Sequence, residues 1–318
     1  MAEAMLVFDR ALLRRRRARA AAGLDAHDFL FRAGAERLAD RLDDMRGGFA
    51  RVLELGAHGA LLREAIGARA GAEAYVVADA ALPLAAAARG LRVVADEEAL
   101  PFAEGAFDLV VANLGLHWIN DLPGALIQMR RCLRPDGLLL ASMLGGRTLE
   151  ELRACLLAAE AEVAGGASPR VSPFADARDA GGLLQRAGFA LPVVDADLLV
   201  ASYPDALALM RDLRGMGESN ATLDRRRAFT RREVLLRAAA IYAERFAGPD
   251  GRVPASFEIL TLTAWAPAPT QPRPLRPGSA AARLADALGT VATPAGERAG
   301  GGCGSEGVAT HGPPRHVR

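Results

Sequence analysis

The segment Arg51-Val-Leu-Glu-Leu-Gly-Ala-His-Gly59 decides the fold, because an apolar strand pattern runs directly into a glycine-containing loop and then into a helical pattern. Glycines let a backbone pass close to a ligand, and the N-terminus of the following helix presents free N–H groups. The loop lacks the third glycine of a dinucleotide-binding fingerprint, since Leu61 stands in its place. The segment therefore predicts a nucleoside-type ligand site after a first β-strand and disfavours a nicotinamide dinucleotide.

Four more short apolar segments follow this one, and helical patterns separate most of them. We predict strands over residues 51–55, 74–78, 91–94, 107–112 and 138–142, with a turn at Pro135-Asp136-Gly137 before the fifth. Apolar strands that alternate with helices form βαβ units and indicate a parallel sheet buried on both faces. The predicted fold class is α/β, with a doubly wound, Rossmann-like sheet.

The remaining patterns divide the chain into three parts. Residues 1–45 predict two helices that form an N-terminal cap. Residues 46–266 predict the α/β domain, with a helical insertion over 204–246 that roofs the substrate side. Residues 267–318 are rich in proline, glycine and arginine, and from about residue 291 they lack an apolar period, which predicts disorder.

Composition limits the class of partner. The chain has 318 residues and a net charge of +1, which argues against a nucleic-acid partner. No apolar run approaches the roughly 20 residues of a membrane-spanning helix. The run Arg14-Arg-Arg-Arg17 is flanked by acidic residues, so we interpret it as part of a mature basic helix rather than a transit peptide. Either it is a solvated face, or it contacts an acidic partner or a membrane surface.

The ends of the predicted strands carry polar residues, and ligands of open parallel sheets bind beyond those ends. The candidate cofactor-binding residues are Glu54, Gly56, Gly59, Asp79, Asp96, Glu97 and Asn113. Asp79 can accept both ribose hydroxyls, and Asp96 can accept from an adenine amino group. Glu97 has the alternative role of capping the next turn. An acidic rim repels phosphates but attracts a sulfonium cation, so the pattern favours S-adenosylmethionine (SAM) as the cofactor.

The predicted substrate rim is formed by His117, Trp118, Gly217, Glu218 and Ser219. Methyl transfer needs in-line placement and exclusion of water more than it needs a nucleophile or a base, so no catalytic residue is assigned. The five histidines do not form a convincing two-histidine, one-carboxylate metal site, and no metal is predicted.

Several motifs carry a resemblance to a known family. Val-Leu-Glu-Leu-Gly56, Phe-Asp-Leu-Val110 and Leu-Arg-Pro-Asp-Gly137 resemble a class I SAM-dependent methyltransferase, in the branch that contains malonyl-carrier-protein O-methyltransferase. Phe8-Asp-Arg10 and Gly-Met-Gly-Glu-Ser-Asn220 more closely resemble the mitochondrial complex I assembly factor 5 family. This resemblance extends over nearly the whole chain, to about Gly289. The loop departs from the family pattern, because Ala57-His58 stand where Cys and Gly are expected and narrow the methionine pocket.

The resemblance implies SAM as cofactor, a respiratory complex I subunit as protein partner, and peripheral contact with the inner membrane. It implies the cytoplasm as location in a bacterium and the mitochondrial matrix in a eukaryote. Three functions follow as expectations. The first is a SAM-dependent methyltransferase of undetermined acceptor, the second a SAM-binding protein-arginine hydroxylase, and the third a non-catalytic assembly partner.

Overall fold

The computed structural model describes residues 6–45, 47–272, 279 and 283–291. Residues 1–271 and residues 272–318 are two separate units. In the second unit the described part contains a short helix, α10 (Leu284–Ala287). The disorder predicted from about residue 291 falls almost entirely outside the described residues.

The first unit is built on a seven-stranded sheet of order β3-β2-β1-β4-β5-β7-β6. The strands are β1 (Arg51–Leu55), β2 (Ala74–Asp79), β3 (Leu91–Val94), β4 (Phe107–Ala112), β5 (Leu133–Leu144), β6 (Ala190–Tyr203) and β7 (Val253–Trp265). Strands β1 to β5 are parallel, whereas β7 runs antiparallel to both β5 and β6. The strand order reverses between β1 and β4, and this reversal opens a crevice at the carboxyl ends of the strands. The predicted α/β fold class is confirmed.

Helices cover both faces of the sheet. They are α1 (Arg10–Ala20), α2 (Phe29–Asp43), α3 (Leu61–Ala70), α4 (Leu82–Ala87), α5 (Leu122–Cys132), α6 (Glu150–Ala164), α7 (Ala177–Arg186), α8 (Ala206–Gly215) and α9 (Arg232–Phe246). Successive strand residues point to opposite faces, so Val52 packs in one core with α2 and α3, and Leu53 packs in the other with α5 and α7.

Two details of the predicted sheet were wrong. The turn predicted at Pro135-Asp136-Gly137 lies inside β5, which pairs with β4 from Leu133 onward. The register with β4 passes from Phe107↔Leu133 directly to Leu109↔Leu138, so residues 134–137 bulge out of this pairing, with Asp136 left-handed (φ 64°). The prediction of burial on both faces fails at β3, most of which is exposed, because β3 is the edge strand.

The N-terminal segment crosses the carboxyl edge of the sheet and contacts both the loop between β4 and α5 and the loop after α8. On one side, Asn120 Oδ1 accepts from the backbone N–H groups of Val7 and Phe8, both at 2.8 Å. On the other, Asp9 N donates to Ala221 O at 2.8 Å, and Phe8 forms a β-bridge with Thr222. Helix α1, capped by the Asp9 side chain, therefore lies over the strand ends where the sequence places the cofactor.

Within the described part of the chain, we find no helix that is both long enough and apolar enough to span a membrane.

Candidate cofactor and substrate site

The first strand ends in a buried carboxylate and a left-handed glycine. Tyr75 donates its hydroxyl to Glu54 Oε2 at 2.7 Å, and Glu54 Oε1 has no hydrogen-bond partner among the described residues. Burial raises the pKa of Glu54 to about 7. Gly56 (φ 78°) and Gly59 (φ 73°) adopt conformations that favour glycine. A Cβ built on either glycine would meet no described atom closer than 4.0 Å, so the loop leaves room for a ligand to approach its backbone.

His58 occupies the loop position that departs from the family pattern. Its ring stacks on Phe31 with 3.9 Å between centroids, and burial lowers the pKa of His58 to about 3, so the imidazole is neutral. A hydrogen bond to the Asn113 backbone uses one ring nitrogen, and Nε2 has no partner in the described structure. Nε2 lies near the Cβ position of Gly56, which directs a hydrogen-bond acceptor toward the cofactor loop.

The carboxylate after β2 has one oxygen that is available to a ligand. Asp79 is 1% exposed, and its Oδ1 accepts from Ala81 N at 2.6 Å. Its Oδ2 has no partner of good hydrogen-bond geometry among the described residues, although the backbone of Ala57 lies close enough to the carboxyl group to lower its pKa. Burial raises the pKa of Asp79 to about 6, although the nearby Arg17 works in the opposite direction. The role predicted for this residue, which is to accept from ribose hydroxyls, stays a prediction.

Asp96 and Glu97 hold an arginine of α1 between them. Arg10 Nη2 donates to Asp96 Oδ1 at 2.5 Å and also to Glu97 Oε2. Burial opposes ionisation of Asp96, but hydrogen bonds from Glu98 N and from Arg10 lower its pKa below the ordinary value. Glu97 is buried and ion-paired here, so it does more than cap a turn.

Asn113 already has protein partners at both ends of its amide. Its Nδ2 donates to Phe31 O at 2.7 Å, and its Oδ1 accepts from Ser142 Oγ at 2.9 Å. Gly34 of α2 approaches so closely that a Cβ there would lie 2.3 Å from Asn113 Oδ1. The side chain therefore fastens α2 to the sheet and positions Phe31 beneath His58.

Three residues of the predicted substrate rim form one buried hydrogen-bonded group. Glu218 Oε2 accepts from Trp118 Nε1 at 2.6 Å and from His117 Nε2 at 3.1 Å. His117 Nδ1 accepts from Leu144 N at 3.4 Å, which assigns the proton to Nε2. Burial would raise the pKa of Glu218, but the bond from His117 and the charge of Arg17 hold it at about 2. Glu218 is therefore an ionised anchor rather than a proton acceptor.

The other two rim residues contact α1. Gly217 has a left-handed backbone (φ 81°), and a Cβ there would lie in ordinary van der Waals contact with α1, 3.4 Å from Arg17 Cα. Ser219 accepts from Arg16 Nη1 through its carbonyl oxygen at 2.8 Å. This loop is therefore shaped to receive α1, and the three consecutive residues have different roles.

Two arginines of α1 that were not predicted as site residues enter the site. Arg17 is 5% exposed and lies 4.0 Å from Glu97 Oε1 and 3.6 Å from Glu218 Oε1. Its Nε and Nη2 have no hydrogen-bond acceptor among the described residues. Arg10 and Arg17 are two helical turns apart and so lie on the same face of α1, which is the signal that was available. The acidic partner predicted for the arginine run is thus in part the protein's own site.

The structure also shows how tightly α1 closes the crevice. The cavity enclosed by α1 and the strand ends measures about 10 Å³ and is lined by Arg10, Arg17, Asp79, Asp96 and Glu97. A nucleoside is much larger, so it fits only if the arginine side chains withdraw. The carboxylates at the strand ends and the open glycine loop suit SAM. The position of α1 leaves too little space for it in this closed state.

No group of three or more metal-ligating side chains occurs in the described portion of the chain. Cys132 and Cys155 are buried free thiols.

Taken together, the strand order, the antiparallel β7 and the glycine loop beside an acidic rim define a class I methyltransferase. Residues 53–141 match the family model described as a methyltransferase domain. A candidate methyltransferase from Bacillus halodurans shares the fold, with a TM-score of 0.52 and 16% identity over 74% of this chain and 100% of that one.

More similar relatives identify the family. The mitochondrial arginine-hydroxylase NDUFAF5 of Danio rerio is 40% identical over 290 residues, which cover 89% of this chain and 90% of the relative. The malonyl-[acyl-carrier protein] O-methyltransferase of Laribacter hongkongensis is 38% identical over 277 residues, covering 82% and 90%. The chain belongs to the class I methyltransferase family that contains these two groups of enzymes, as the sequence motifs predicted.

Proposed function

We propose that the protein binds SAM in the crevice beneath α1 and transfers its methyl group to an acceptor held beside Glu218. The observation that carries this proposal is the convergence of buried polar atoms on the glycine loop. Glu54 Oε1, His58 Nε2 and Asp79 Oδ2 all lack hydrogen-bond partners in the part of the chain that the structure describes. A buried polar atom without a partner is costly, so a set of them around one loop indicates a polar ligand.

Each residue has a definite part in holding the cofactor. We assign the two ribose hydroxyls to Asp79 and the adenine amino group to Asp96, after Arg10 has left it. His58 Nε2, as a neutral acceptor, suits the ammonium of the methionine portion, and the open N–H groups of Arg17 suit its carboxylate. When bound, SAM supplies an electrophilic methyl group. The protein contributes placement of the acceptor and exclusion of water, which α1 provides by covering the crevice.

The test of this function is binding followed by product analysis. We expect calorimetry to show that the full chain binds SAM and S-adenosylhomocysteine but not NAD. Mass spectrometry of the partner proteins, with and without the gene, then identifies the modified residue. A chain that binds NAD in preference to SAM would overturn the proposal. If the chain does not bind SAM, but deletion of its gene still causes loss of complex I, the protein is instead a non-catalytic assembly partner.

One observation favours a second candidate, a protein-arginine hydroxylase that acts on a respiratory complex I subunit. The guanidinium group of Arg17 already lies against Glu97 and Glu218, so the site accommodates this group in a buried position. The 40% identity to the arginine-hydroxylase NDUFAF5 of Danio rerio supports the same candidate. Mass spectrometry separates the two functions, because hydroxylation adds one oxygen atom to the arginine and methylation adds one methylene.

The closed position of α1 leads to a prediction for Arg10. A ligand that binds only when Arg10 is withdrawn has its affinity reduced by the fraction of molecules in that state. We expect Arg10→Ala to bind SAM roughly fivefold more tightly, because an ion pair of about 1 kcal/mol no longer competes with the cofactor. Calorimetry measures the change, with Arg15→Ala, an exposed arginine of the same helix, as the matched control. Weaker binding by Arg10→Ala would show that Arg10 instead contacts the bound cofactor.

A further inference from the structure

Glu218 also lines a second cavity, to which helices α6, α8 and α9 and strand β7 contribute residues. Its volume is about 190 Å³, and Trp118, Leu152, Leu156, Met210, Glu218 and Phe257 are among the residues that line it. Helices α6 and α8 each supply two residues to the apolar wall, and Phe257 of β7 supplies another part of it. Trp118 and Glu218 belong both to this cavity and to the hydrogen-bonded group beside the cofactor crevice.

The size and lining restrict what the cavity can hold. Pockets for drug-sized ligands measure roughly 300–1,000 Å³, whereas an apolar cavity of about 150 Å³ accepts a molecule the size of benzene. The cavity therefore suits a single aromatic ring or an alkyl group of the same bulk. Its leucine, methionine and phenylalanine side chains offer no polar atom that could orient a longer polar ligand.

The polar residues of the lining are mostly engaged with one another. Arg170 donates to Glu160 at 2.5 Å and to Thr230 at 2.8 Å. Ser172 donates to Asn220 at 3.3 Å. Glu218 is different, because its Oε1 accepts no hydrogen bond from the residues described here. The cavity wall thus includes a residue whose carboxylate has one buried oxygen without a hydrogen-bond partner among the described residues.

The charge around Glu218 selects a neutral donor. Arg17 Nη2 is already 3.6 Å from Glu218 Oε1, so a second cation beside that oxygen would be repelled. A hydroxyl or amide N–H gains a charge-assisted hydrogen bond without that repulsion. We propose that this cavity binds the apolar part of the acceptor, a compact ring-sized group that presents one neutral hydrogen-bond donor to Glu218. This inference rests on the proposed function, because it assigns the substrate side of the same site.

The test uses two fluorinated probes of nearly equal size, 4-fluorophenol and 4-fluorotoluene, with binding to the full chain followed by ¹⁹F NMR. We expect both to bind, and the phenol to bind about tenfold more tightly, as a hydrogen bond to a charged group predicts. Leu156→Trp fills the cavity and should weaken both probes at least about tenfold. Leu157→Trp, on the exposed face of the same helix, is the matched control and should change neither.

A second variant tests the donor. In Glu218→Gln the carbonyl oxygen should turn to the ring N–H groups of His117 and Trp118, which leaves an NH₂ facing the cavity. The preference for 4-fluorophenol should then vanish while 4-fluorotoluene binds as before. If Leu156→Trp does not fold, Met210→Trp from α8 must cause the same loss.

The outcomes separate the cavity from the cofactor site. Probe binding that is unchanged in both filling variants overturns the inference, and so does an absence of preference for the phenol. Failure to bind either probe while SAM still binds overturns the cavity alone. Conversely, probe binding that follows the expected pattern in a chain that does not bind SAM supports the cavity and overturns the proposed function.

Discussion

Replacement of Asp79 by alanine is expected to weaken SAM binding by about 10- to 100-fold. A hydrogen bond to a charged group contributes roughly 1.5–3 kcal/mol, which corresponds to that range of affinity. The Oδ2 atom has no hydrogen-bond partner among the described residues, so it is free to accept from the cofactor. Because Asp79 is 1% exposed, water does not easily replace the contact that the variant loses. Isothermal titration calorimetry on the folded variant measures the change directly.

Two further variants make the Asp79 result interpretable. Asp40→Ala removes an exposed aspartate of α2 and should leave SAM binding unchanged. Asp79→Asn keeps the shape and the bond from Ala81 N but loses the charge, so it should show an intermediate loss. An affinity for SAM that is unchanged in Asp79→Ala would remove this residue from the cofactor site. Glu54 and His58 would then be the remaining candidates for cofactor contacts at the glycine loop.

The sheet and its strand ends could be predicted from sequence because both are encoded locally. Short apolar segments such as 107–112 have one plausible structure in an alternating βα pattern, and the residues after them must lie at the carboxyl edge. The boundaries are less secure where a strand continues past a bulge, as β5 does at Pro135-Asp136-Gly137. Exposure of β3 depends on its position in the strand order, and no local pattern reveals that position.

The arginines in the crevice could not be assigned from sequence because their partners are distant in the chain. Arg17 contacts Glu97, which follows β3, and Glu218, which lies inside the 204–246 insertion, so both partners are far from it in the chain. A basic run has the same composition whether it faces solvent, a membrane or a buried acidic site. The residue spacing places Arg10 and Arg17 on one face of a helix. Only the crossing of α1 over the strand ends shows that this face is directed at the acidic residues of the site.

These contacts also modify the electrostatic argument for a sulfonium ligand. The acidic rim is present, but Arg10 and Arg17 already compensate much of its charge in the closed state. A cationic cofactor therefore gains the full attraction of the rim only when Arg10 has been displaced. The same carboxylates thus serve both states, binding Arg10 when the crevice is closed and adenosine when the Arg10 side chain has withdrawn beneath α1.

Replacement of Glu218 by alanine is expected to destabilise the fold by about 3–5 kcal/mol, the cost of removing one partner of a buried ion pair. Arg17 would retain only Glu97, at 4.0 Å, and the ring N–H groups of His117 and Trp118 would lose their shared acceptor. A loss of that size lowers the melting temperature by roughly 10 °C in a domain of this size. Chemical denaturation at neutral pH measures the free energy of unfolding.

A surface ion pair provides the matched control for Glu218. Glu150 pairs with Arg147 at 3.5 Å with both side chains exposed, so Glu150→Ala should change stability by no more than about 1 kcal/mol. The double variant Arg17→Ala, Glu218→Ala should be less destabilised than the sum of its parts, because no unpaired charge remains buried. Equal losses in Glu218→Ala and Glu150→Ala would show that Glu218 is not anchoring the site.

The pH dependence of stability gives an independent check on the same carboxylate. The pKa of Glu218 is about 2 in the folded protein against an ordinary value of 4.5, so the folded state favours its ionised form. Its contribution is therefore complete above about pH 4.5 and is lost as the pH falls from there toward 2. In Glu218→Gln the decline in unfolding free energy across that window should be shallower than in the wild type. An identical decline in both proteins would mean that other carboxylates, such as Glu160 with its pKa of about 2, account for the acid sensitivity.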